Sequence, residues 1–357
     1  MKDREGSRRG IVGRGAAVNP RNRFEKIEVE LDLAELEEGE PRPETLYLRD
    51  HSRSIIARND SPDIGFDASI NPYRGCSHGC VYCFARPTHE YLGLSAGLDF
   101  ESRILVKQDA PELLRKELSS PRWEPKVLSM SGITDPYQPV EKGLRITRRC
   151  LEVLAEFRNP VAVVTKNHLV TRDIDLLSEL ARHDAAVVAV SLTTLDDDLR
   201  RVMEPRTSRP ARRLATIDAL AGAGIPVGVM VAPVIPGLTD HELPALISAA
   251  GRSGAAFAAY VPVRLPYTVK PLFEEWLERH FPDRKAKVLN RIRSMRGGEL
   301  NDPRFGSRMR GEGLFADHIA QMFSISCRRA GIAEGRFPKL SSAAFRKRSG
   351  MQPPLFD

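Results

Sequence analysis

Residues 71–83 form the run Asn71-Pro72-Tyr73-Arg74-Gly75-Cys76-Ser77-His78-Gly79-Cys80-Val81-Tyr82-Cys83, which spaces three cysteines as C-x3-C-x2-C. Pro72, Gly75 and Gly79 interrupt regular structure, so the cysteines are predicted to lie on one loop. Three thiolates on a short loop can hold three irons of a cubane iron–sulfur cluster and leave the fourth iron without a protein ligand. An iron with an open position can bind a substrate or a cofactor.

A structural zinc site is the alternative for the same cysteines, with His78 or His89 as the fourth ligand. Such sites usually pair two C-x2-C knuckles, and the sequence contains no second knuckle. A disulfide is not expected, because an odd count of 5 cysteines without an evident secretory leader suggests a reducing compartment. The other two cysteines, Cys150 and Cys327, fall in helical patterns and are predicted to be core thiols.

Composition limits the class of protein. The chain has 357 residues, of which 41% are hydrophobic, and a formal net charge of +7. This length can bury one large core with appendages. No apolar run approaches the roughly 18–20 residues that cross a bilayer, so we expect a soluble, cytoplasmic protein without membrane contact. The positive charge favours a polyanionic partner such as a nucleic acid.

Charge and composition also divide the chain. The predicted parts are a disordered basic tail at 1–24, an N-terminal extension at 25–63, a core domain at 64–265, a helical extension at 266–335 and a second basic tail at 336–357. The second tail contains the run Arg346-Lys347-Arg348. Both tails are expected to be solvated, with contact to nucleic acid as the alternative.

Strand-like and helix-like patterns alternate from about residue 64 onward. The predicted strands are apolar and β-branched, as strands buried on both faces require, and they are 66–70, 126–130, 161–165, 186–191, 227–231 and 257–261. Helical patterns separate them at 144–157, 173–182, 209–222 and 239–251. The alternation predicts an α/β fold with a parallel sheet covered by helices. The pattern alone leaves open whether the sheet is a partial barrel or a doubly wound open sheet.

The cysteine motif, with the aromatic Tyr82 before its last cysteine, resembles the signature of the radical S-adenosylmethionine (radical SAM) superfamily. Residues 71–80 resemble the branch of the spore photoproduct lyases. The resemblance implies a partial (β/α)6 TIM-like barrel with N- and C-terminal extensions. It also implies a 4Fe-4S cluster on Cys76, Cys80 and Cys83, whose open iron binds S-adenosylmethionine. An electron donor such as flavodoxin or ferredoxin would reduce the cluster, and a 5′-deoxyadenosyl radical would take a hydrogen atom from the substrate.

In a parallel barrel the site lies at the carboxyl ends of the strands. The resemblance implies that S-adenosylmethionine binds there, with Lys166 on its carboxylate, Ser191 on the carboxylate or the ribose, and the backbone of Tyr82 at the adenine. Lys166 follows a buried strand directly, so it also needs an anion to offset its lost hydration. Many family members carry Gly-Gly-Glu after the second strand. This chain has Ser131-Gly132 there, so a hydroxyl or carbonyl group of Ser131 would bind the methionine amino group.

A polar stretch after the second strand is predicted to face the substrate; its members are Thr134, Asp135, Tyr137 and Gln138. The alternative is a turn closed by the side chain of Asp135. Tyr260, near the end of the sixth strand, is expected to pack. The arginine-rich link at 301–313 is either a lid or substrate-binding segment or a surface loop, and its arginines favour a phosphate-bearing substrate.

The sequence does not identify the substrate or the catalytic residues. Residues 126–132 lack the cysteine that is thought to return a hydrogen atom in spore photoproduct lyases, so a DNA photoproduct is not assigned. The predicted function is therefore a radical SAM enzyme whose substrate is unidentified, with a nucleic acid or another phosphate-bearing molecule favoured by charge. The alternative is a non-catalytic metal-binding module that contacts nucleic acid through the basic tails.

Overall fold

The computed structural model describes residues 11, 13–24, 44–335 and 337–347. Its strands are β1 (Leu46–Arg49), β2 (Ile56–Arg58), β3 (Ala68–Ile70), β4 (Tyr73–Arg74), β5 (Arg103–Val106), β6 (Leu128–Met130), β7 (Val161–Thr165), β8 (Ala186–Ser191), β9 (Val227–Val234), β10 (Phe257–Pro262) and β11 (Ala333–Glu334). The predictions for residues 1–10, for 25–43 and for Arg348 lie outside the described residues.

The helices alternate with these strands. They are α1 (Leu98–Ser102), α2 (Ala110–Ser119), α3 (Glu141–Leu144), α4 (Ile146–Phe157), α5 (Ile174–Ala181), α6 (Asp197–Met203), α7 (Pro210–Gly222), α8 (Leu243–Arg252), α9 (Val269–His280), α10 (Pro282–Ser294), α11 (Ser307–Arg310) and α12 (Leu314–Ala330). The C-terminal pattern that begins near residue 271 forms two helices, because Pro282 has no backbone N–H to continue α9. Helix α12 packs against α8.

Six neighbouring strands of the main sheet run parallel, in the order β10-β9-β8-β7-β6-β3. Strand β11 extends this sheet beyond β10, and β2 pairs antiparallel with β3 at the other edge. From β3 to β10 the strands are neighbours in chain order, without the reversal of a doubly wound sheet, and the order does not close on itself, so the sheet is a partial barrel. The predicted α/β fold with a six-stranded parallel core is confirmed. A second, smaller sheet has the order β1-β5-β4.

The strand bounds differ from the prediction at four places. Strand β3 begins two residues later than predicted, at Ala68, and β10 runs one residue further, to Pro262. Strand β6 begins two residues later than predicted, because the carbonyl of Lys126 accepts a hydrogen bond from the Asn159 side chain (3.0 Å) instead of a neighbouring strand. Strand β9 runs three residues further than predicted, to Val234, and Val263 still donates to the Val234 carbonyl (2.9 Å). Every residue of β8 is buried, which explains its uninterrupted apolar sequence.

The described part of the second basic tail, residues 337–347, lies against the domain, while the charged Arg346 and Lys347 are exposed as predicted. Phe345 lies against Phe157, with ring centroids 6.2 Å apart, and the Ser341 backbone donates to the Asp184 carbonyl (2.8 Å). The Arg346 backbone donates to the Phe157 carbonyl (2.9 Å). Asp184 and Phe157 precede β8 and β7, so this segment crosses the amino edge of the sheet. The Phe345 ring and backbone groups hold the segment on the domain, and composition, which registers only the charges, does not predict these contacts.

The remaining packing predictions are confirmed. Cys150 on α4 and Cys327 on α12 are both buried in the main hydrophobic core. Tyr260 packs on Phe323, with ring centroids 4.7 Å apart. No described helix is both long and apolar enough to cross a membrane.

Gly228 offers a test of the sheet packing. A Cβ atom at this position would lie 2.4 Å from the ring of Phe257 on the neighbouring strand. We expect Gly228→Val to lower the free energy of unfolding by about 1–3 kcal/mol or more, because the buried sheet cannot accommodate the extra carbons. Anaerobic urea denaturation followed by circular dichroism measures this change.

Gly222→Ala is the matched control. Gly222 ends α7 and has open space where a Cβ would stand. This substitution should leave the stability unchanged or raise it by about 0.4–1 kcal/mol, because alanine restricts the unfolded chain. Equal destabilisation by both substitutions would contradict the packing described for Gly228.

Candidate active site

The cysteine loop (residues 75–85) follows β4 at the carboxyl edge of the parallel sheet. Gly75 and Gly79 have positive φ values of 79° and 71°, which allow the loop to turn tightly on both sides of Cys76. The Cys76 backbone donates to the Phe100 carbonyl (2.9 Å), and the Cys83 backbone donates to the Cys80 carbonyl (3.2 Å). Cys76 and Cys80 are buried and Cys83 is half-buried.

The chemistry of the three thiols fits a metal cluster. Burial, together with the charge of the nearby Cys76, raises the pKa of Cys83 to about 11, although Arg86 opposes the shift. Burial and the charge of Glu204 likewise raise the pKa of Cys80. Thiols that influence one another in this way share one region, and a metal that binds them as thiolates removes the cost of their buried charge.

Within the described ranges, no three His, Cys, Asp or Glu side chains are grouped as they would be around a single ion. A cubane cluster takes each thiolate on a separate iron. The residues that could hold such a cluster are Cys76, Cys80 and Cys83.

An N-terminal strap (residues 13–24) lies against the cysteine loop. A Cβ atom on Gly15 would be 1.8 Å from the Gly79 carbonyl oxygen, so only glycine permits this approach. The backbone N–H groups of Gly15 and Ala16 donate to the two carboxylate oxygens of Glu101 (3.0 and 2.8 Å). The prediction of a disordered tail is therefore wrong for residues 13–24. Its glycines allow close packing, and one of its arginines, Arg14, is buried.

A buried ion pair joins the strap to the loop. Arg86 and Glu101 are both fully buried and form a salt bridge. Arg86 also donates to the carbonyl of Cys80 from Nε (3.0 Å) and from Nη2 (2.9 Å). Glu101 therefore binds the strap and Arg86 together, while Arg86 holds the backbone of a cysteine. Sequence analysis missed both residues, because nothing in the local pattern distinguishes them from surface charges.

His78 forms a second buried contact of the loop. Its Nδ1 lies 3.4 Å from Oδ2 of Asp135, and its Nε2 lies 3.2 Å from the Asn167 side chain. Burial disfavours the charged imidazole, but the attraction of Asp135 and Cys76 outweighs burial and raises the pKa of His78 to about 10. Both ring nitrogens of His78 therefore have side-chain partners, which argues against His78 as the fourth ligand of a zinc site.

The polar stretch after β6 supports the loop, and most of it does not face a substrate. The Thr134 hydroxyl donates to the Gly75 carbonyl (2.8 Å), and the Gln138 side chain accepts from the Ser77 backbone (3.0 Å). Tyr137 is fully buried and donates to Asp173 (3.1 Å). The prediction that these side chains face the substrate is wrong for Tyr137 and Gln138, because both are inaccessible.

The alternative prediction for this stretch, a turn closed by the side chain of Asp135, is confirmed. Oδ1 of Asp135 accepts from the Tyr137 backbone (2.9 Å), which closes a turn. Its other oxygen, Oδ2, accepts from the Lys166 backbone (2.7 Å). Asp135 therefore joins the ends of β6 and β7 beside the cysteine loop.

Glu204, just after α6, is the centre of a buried charge network that sequence analysis missed. Arg213 forms a salt bridge with it, and the Thr193 hydroxyl donates to it (2.7 Å). Burial would raise the pKa of Glu204, but the charges of Arg213 and Lys166 hold it well below its usual range. Glu204 and Arg213 are nine residues apart and meet only in the folded chain, so no local sequence pattern predicts their salt bridge.

Lys166 and Tyr82 meet at this carboxylate. Lys166 Nζ lies 3.4 Å from Oε1 of Glu204 and donates to the Ala232 carbonyl (3.1 Å). The Tyr82 hydroxyl donates to the same Glu204 oxygen, and its ring centroid is 5.7 Å from Lys166 Nζ. The anion that the sequence required for Lys166 is thus supplied by the protein itself.

The two predicted serines occupy the ends of their strands. Ser191 ends β8, is buried, and accepts from Arg213 through its carbonyl (3.0 Å). Ser131 follows β6 with a positive φ of 121°, which is unusual for a residue with a side chain. Lys166, Tyr82 and Ser191 are therefore brought together by Glu204 and Arg213, whereas Ser131 lies further along the same edge, after β6.

Comparison with known proteins identifies the fold and the family. Residues 70–250, which contain the cysteine loop and β6 to β9, match the family model of the radical SAM superfamily. The chain belongs to the radical SAM superfamily. Spore photoproduct lyase complexed with dinucleoside spore photoproduct has the same fold, with a TM-score of 0.57, 16% identity and coverage of 82% of each chain.

Two sequence relatives extend this comparison. An uncharacterized protein of Mycobacterium tuberculosis is 37% identical over 248 residues, which cover 69% of this chain and 72% of that protein. A radical SAM Nα-GlyT isomerase of Pseudomonas phage M6 is 26% identical over 220 residues, which cover 61% of this chain and 44% of that protein. The N-terminal strap precedes the segment that matches the radical SAM family model.

The Arg86–Glu101 pair generates a stability prediction. Glu101→Ala leaves Arg86 buried without its carboxylate and releases two N–H groups of the strap. We expect the free energy of unfolding to fall by about 3–5 kcal/mol. Anaerobic urea denaturation measures the loss, and limited proteolysis shows whether cleavage appears within residues 13–24.

Glu278→Ala is the control for this prediction. Glu278 pairs with Lys285 on the surface, with 65% of its side chain exposed. Its removal should cost at most about 1 kcal/mol. If the two variants were equally stable and equally resistant to proteolysis, the strap would not depend on Glu101.

Proposed function

We propose that this protein is a radical SAM enzyme that cleaves S-adenosylmethionine reductively and takes a hydrogen atom from a nucleic-acid or other phosphate-bearing substrate. The proposal is carried by the three cysteines, which are buried or half-buried on one loop at the carboxyl edge of the sheet. Cys76, Cys80 and Cys83 would hold a 4Fe-4S cluster. When bound, this cluster supplies one electron that breaks a carbon–sulfur bond of S-adenosylmethionine, which yields methionine and a 5′-deoxyadenosyl radical.

The charge network of Glu204 would serve S-adenosylmethionine binding. Arg213 already pairs with Glu204, so Lys166 can turn to the carboxylate of the ligand without leaving Glu204 unpaired. Ser191 would donate to the same carboxylate or to the ribose, Ser131 would bind the amino group, and the backbone of Tyr82 would contact the adenine. Each of these residues lies at the end of a strand, directly after a strand or on the cysteine loop, at the same edge of the sheet.

The electron must come from outside this chain. We propose a flavodoxin or a ferredoxin as the donor and the cytoplasm as the location, since reduced iron–sulfur clusters are sensitive to oxygen. The dinucleoside bound by the structurally similar lyase and the net charge of +7 support a nucleic acid as the substrate. The absence of cysteine from residues 126–132 supports a reaction that does not return hydrogen from a thiol of that stretch.

Anaerobic reconstitution with iron and sulfide tests the proposal. We expect the wild-type protein with dithionite and S-adenosylmethionine to produce 5′-deoxyadenosine and methionine. Alanine at Cys76, Cys80 or Cys83 should abolish both products and the iron–sulfur absorption, because one iron loses its ligand. Cys150→Ala, in the core, should retain both. Bound zinc without 5′-deoxyadenosine, together with retained nucleic-acid binding, would instead favour a non-catalytic metal-binding module.

Lys166→Ala tests the binding site for S-adenosylmethionine. The substitution removes the one cation proposed for the ligand carboxylate, so we expect its Kd to rise roughly tenfold or more. Iron content should stay at the wild-type level. Isothermal titration of the reconstituted protein measures both affinities, with the exposed Lys287→Ala on α10 as the control. An unchanged Kd would remove Lys166 from the site.

A further inference from the structure

Arg264 lies two residues beyond the end of β10, at the same carboxyl edge of the sheet as the cysteine loop. Its guanidinium carbon is 5.4 Å from the ring centroid of Phe84, which directly follows Cys83. Half of Phe84 is exposed (50%) although it is a large apolar side chain. The rim of the candidate active site therefore presents a cation over an accessible aromatic ring.

Among the residues that the structure describes, Arg264 has an incomplete set of hydrogen-bond partners. Its Nη1 contacts the sulfur of Met309 (3.5 Å), and its Nε is buried without a hydrogen-bond partner in the part of the chain that the structure describes. Burial and the charge of Arg308 lower the pKa of Arg264, while Asp63 opposes this. Asp63 pairs with Arg308 (2.6 Å). A half-buried guanidinium without a carboxylate of its own is stabilised by an external anion.

The arginine-rich link at 301–313 is held against this rim. Arg296 donates from Nη1 to the carbonyls of Ser307 (3.0 Å) and Arg308 (2.9 Å). Its Nη2 donates to the carbonyl of Val263 (3.0 Å), just past β10. One buried arginine thus fixes α11 at the end of the strand that carries Arg264. The link is therefore held in a defined position beside Arg264.

A second arginine and aromatic ring repeat the arrangement on the link. The Arg308 guanidinium lies 4.6 Å from the ring centroid of Phe305, and 62% of Phe305 is exposed. Arg310, at the end of α11, is exposed. Exposed rings that alternate with arginines provide stacking surfaces for bases and cations for the phosphates between them.

We propose that Arg264, together with Phe84 and residues 305–310, forms a binding subsite for a single nucleic-acid strand, in which Arg264 contacts a phosphate and the exposed rings stack on bases. This proposal rests on the proposed function, because it names the substrate class for the site at the same edge of the sheet. The subsite would place one nucleotide of the strand next to the cysteine loop.

Fluorescence anisotropy of the reconstituted full-length chain with a labelled 12-nucleotide oligothymidylate tests the subsite. We expect Arg264→Gln to weaken binding roughly tenfold and to reduce the slope of log Kd against log salt concentration by about one, because one phosphate contact is lost. Arg264→Lys should keep the slope. Phe305→Ala should weaken binding about fivefold or more through lost stacking. Circular dichroism verifies that the variants are folded. If Arg264→Gln does not fold, Phe305→Ala still tests the subsite, because Phe305 is exposed and its removal leaves the core intact.

Arg252→Gln is the matched control, since Arg252 is exposed at the end of α8, on the side of the sheet away from this rim. It should bind as the wild type does. The proposal is overturned if Arg264→Gln and Phe305→Ala also bind as the wild type does. It is equally overturned if a methylphosphonate oligomer, which lacks the charge, binds as tightly as the natural strand. Competition by inorganic phosphate at the concentration of strand phosphates would assign a small-anion site and reject the strand.

This assay separates the subsite from the proposed function. Binding of the oligonucleotide requires neither dithionite nor S-adenosylmethionine. If Arg264→Gln weakens binding while 5′-deoxyadenosine never forms in the wild-type protein, the subsite stands and the radical SAM activity fails. If 5′-deoxyadenosine forms and the oligonucleotide does not bind, the activity stands and the subsite is rejected.

Discussion

The buried ion pair between Arg86 and Glu101 holds the candidate active site together. Taking two charges out of water costs several kcal/mol for each ion, and the cost is offset only when every remaining donor and acceptor is satisfied. Here that condition is met by carbonyls of the cysteine loop on one side and by backbone N–H groups of the N-terminal strap on the other. The loop and the strap therefore form as one unit, and neither satisfies the pair alone.

The same physical rule applies along the whole carboxyl edge of the sheet. Glu204 forms salt bridges with Arg213 and Lys166 and accepts a hydrogen bond from the Tyr82 hydroxyl. Asp135 lies against His78. Each buried carboxylate joins at least two separate segments of chain. The edge is thus held rigidly by charge pairs, while the apolar strands beneath it supply the hydrophobic burial. Arg264 differs from these groups, because Asp63, the carboxylate whose charge acts on it, already pairs with Arg308.

The sequence predicted what depends on near neighbours. Six parallel strands follow from the period and apolarity of short segments, and the cysteines, the Asp135 turn and the core thiols Cys150 and Cys327 follow from local spacing. Glu204 and Glu101 could not be predicted, because their roles depend on partners that only the folded sheet brings close. Disorder was wrongly predicted for residues 13–24, since glycine and arginine favour solvation in an isolated segment but here permit close packing and a buried hydrogen bond.

The contacts of the cysteine loop also set an order of events during synthesis. Val81 donates to the Met203 carbonyl, and Arg206 donates to the His78 carbonyl, so the loop reaches its final form only with residues far downstream. Chains emerge from the ribosome amino end first. The strap and the thiols are therefore outside the ribosome well before the residues that enclose them. The three thiols are therefore most accessible to solvent in that interval, before α6 and the residues that follow it close over the loop.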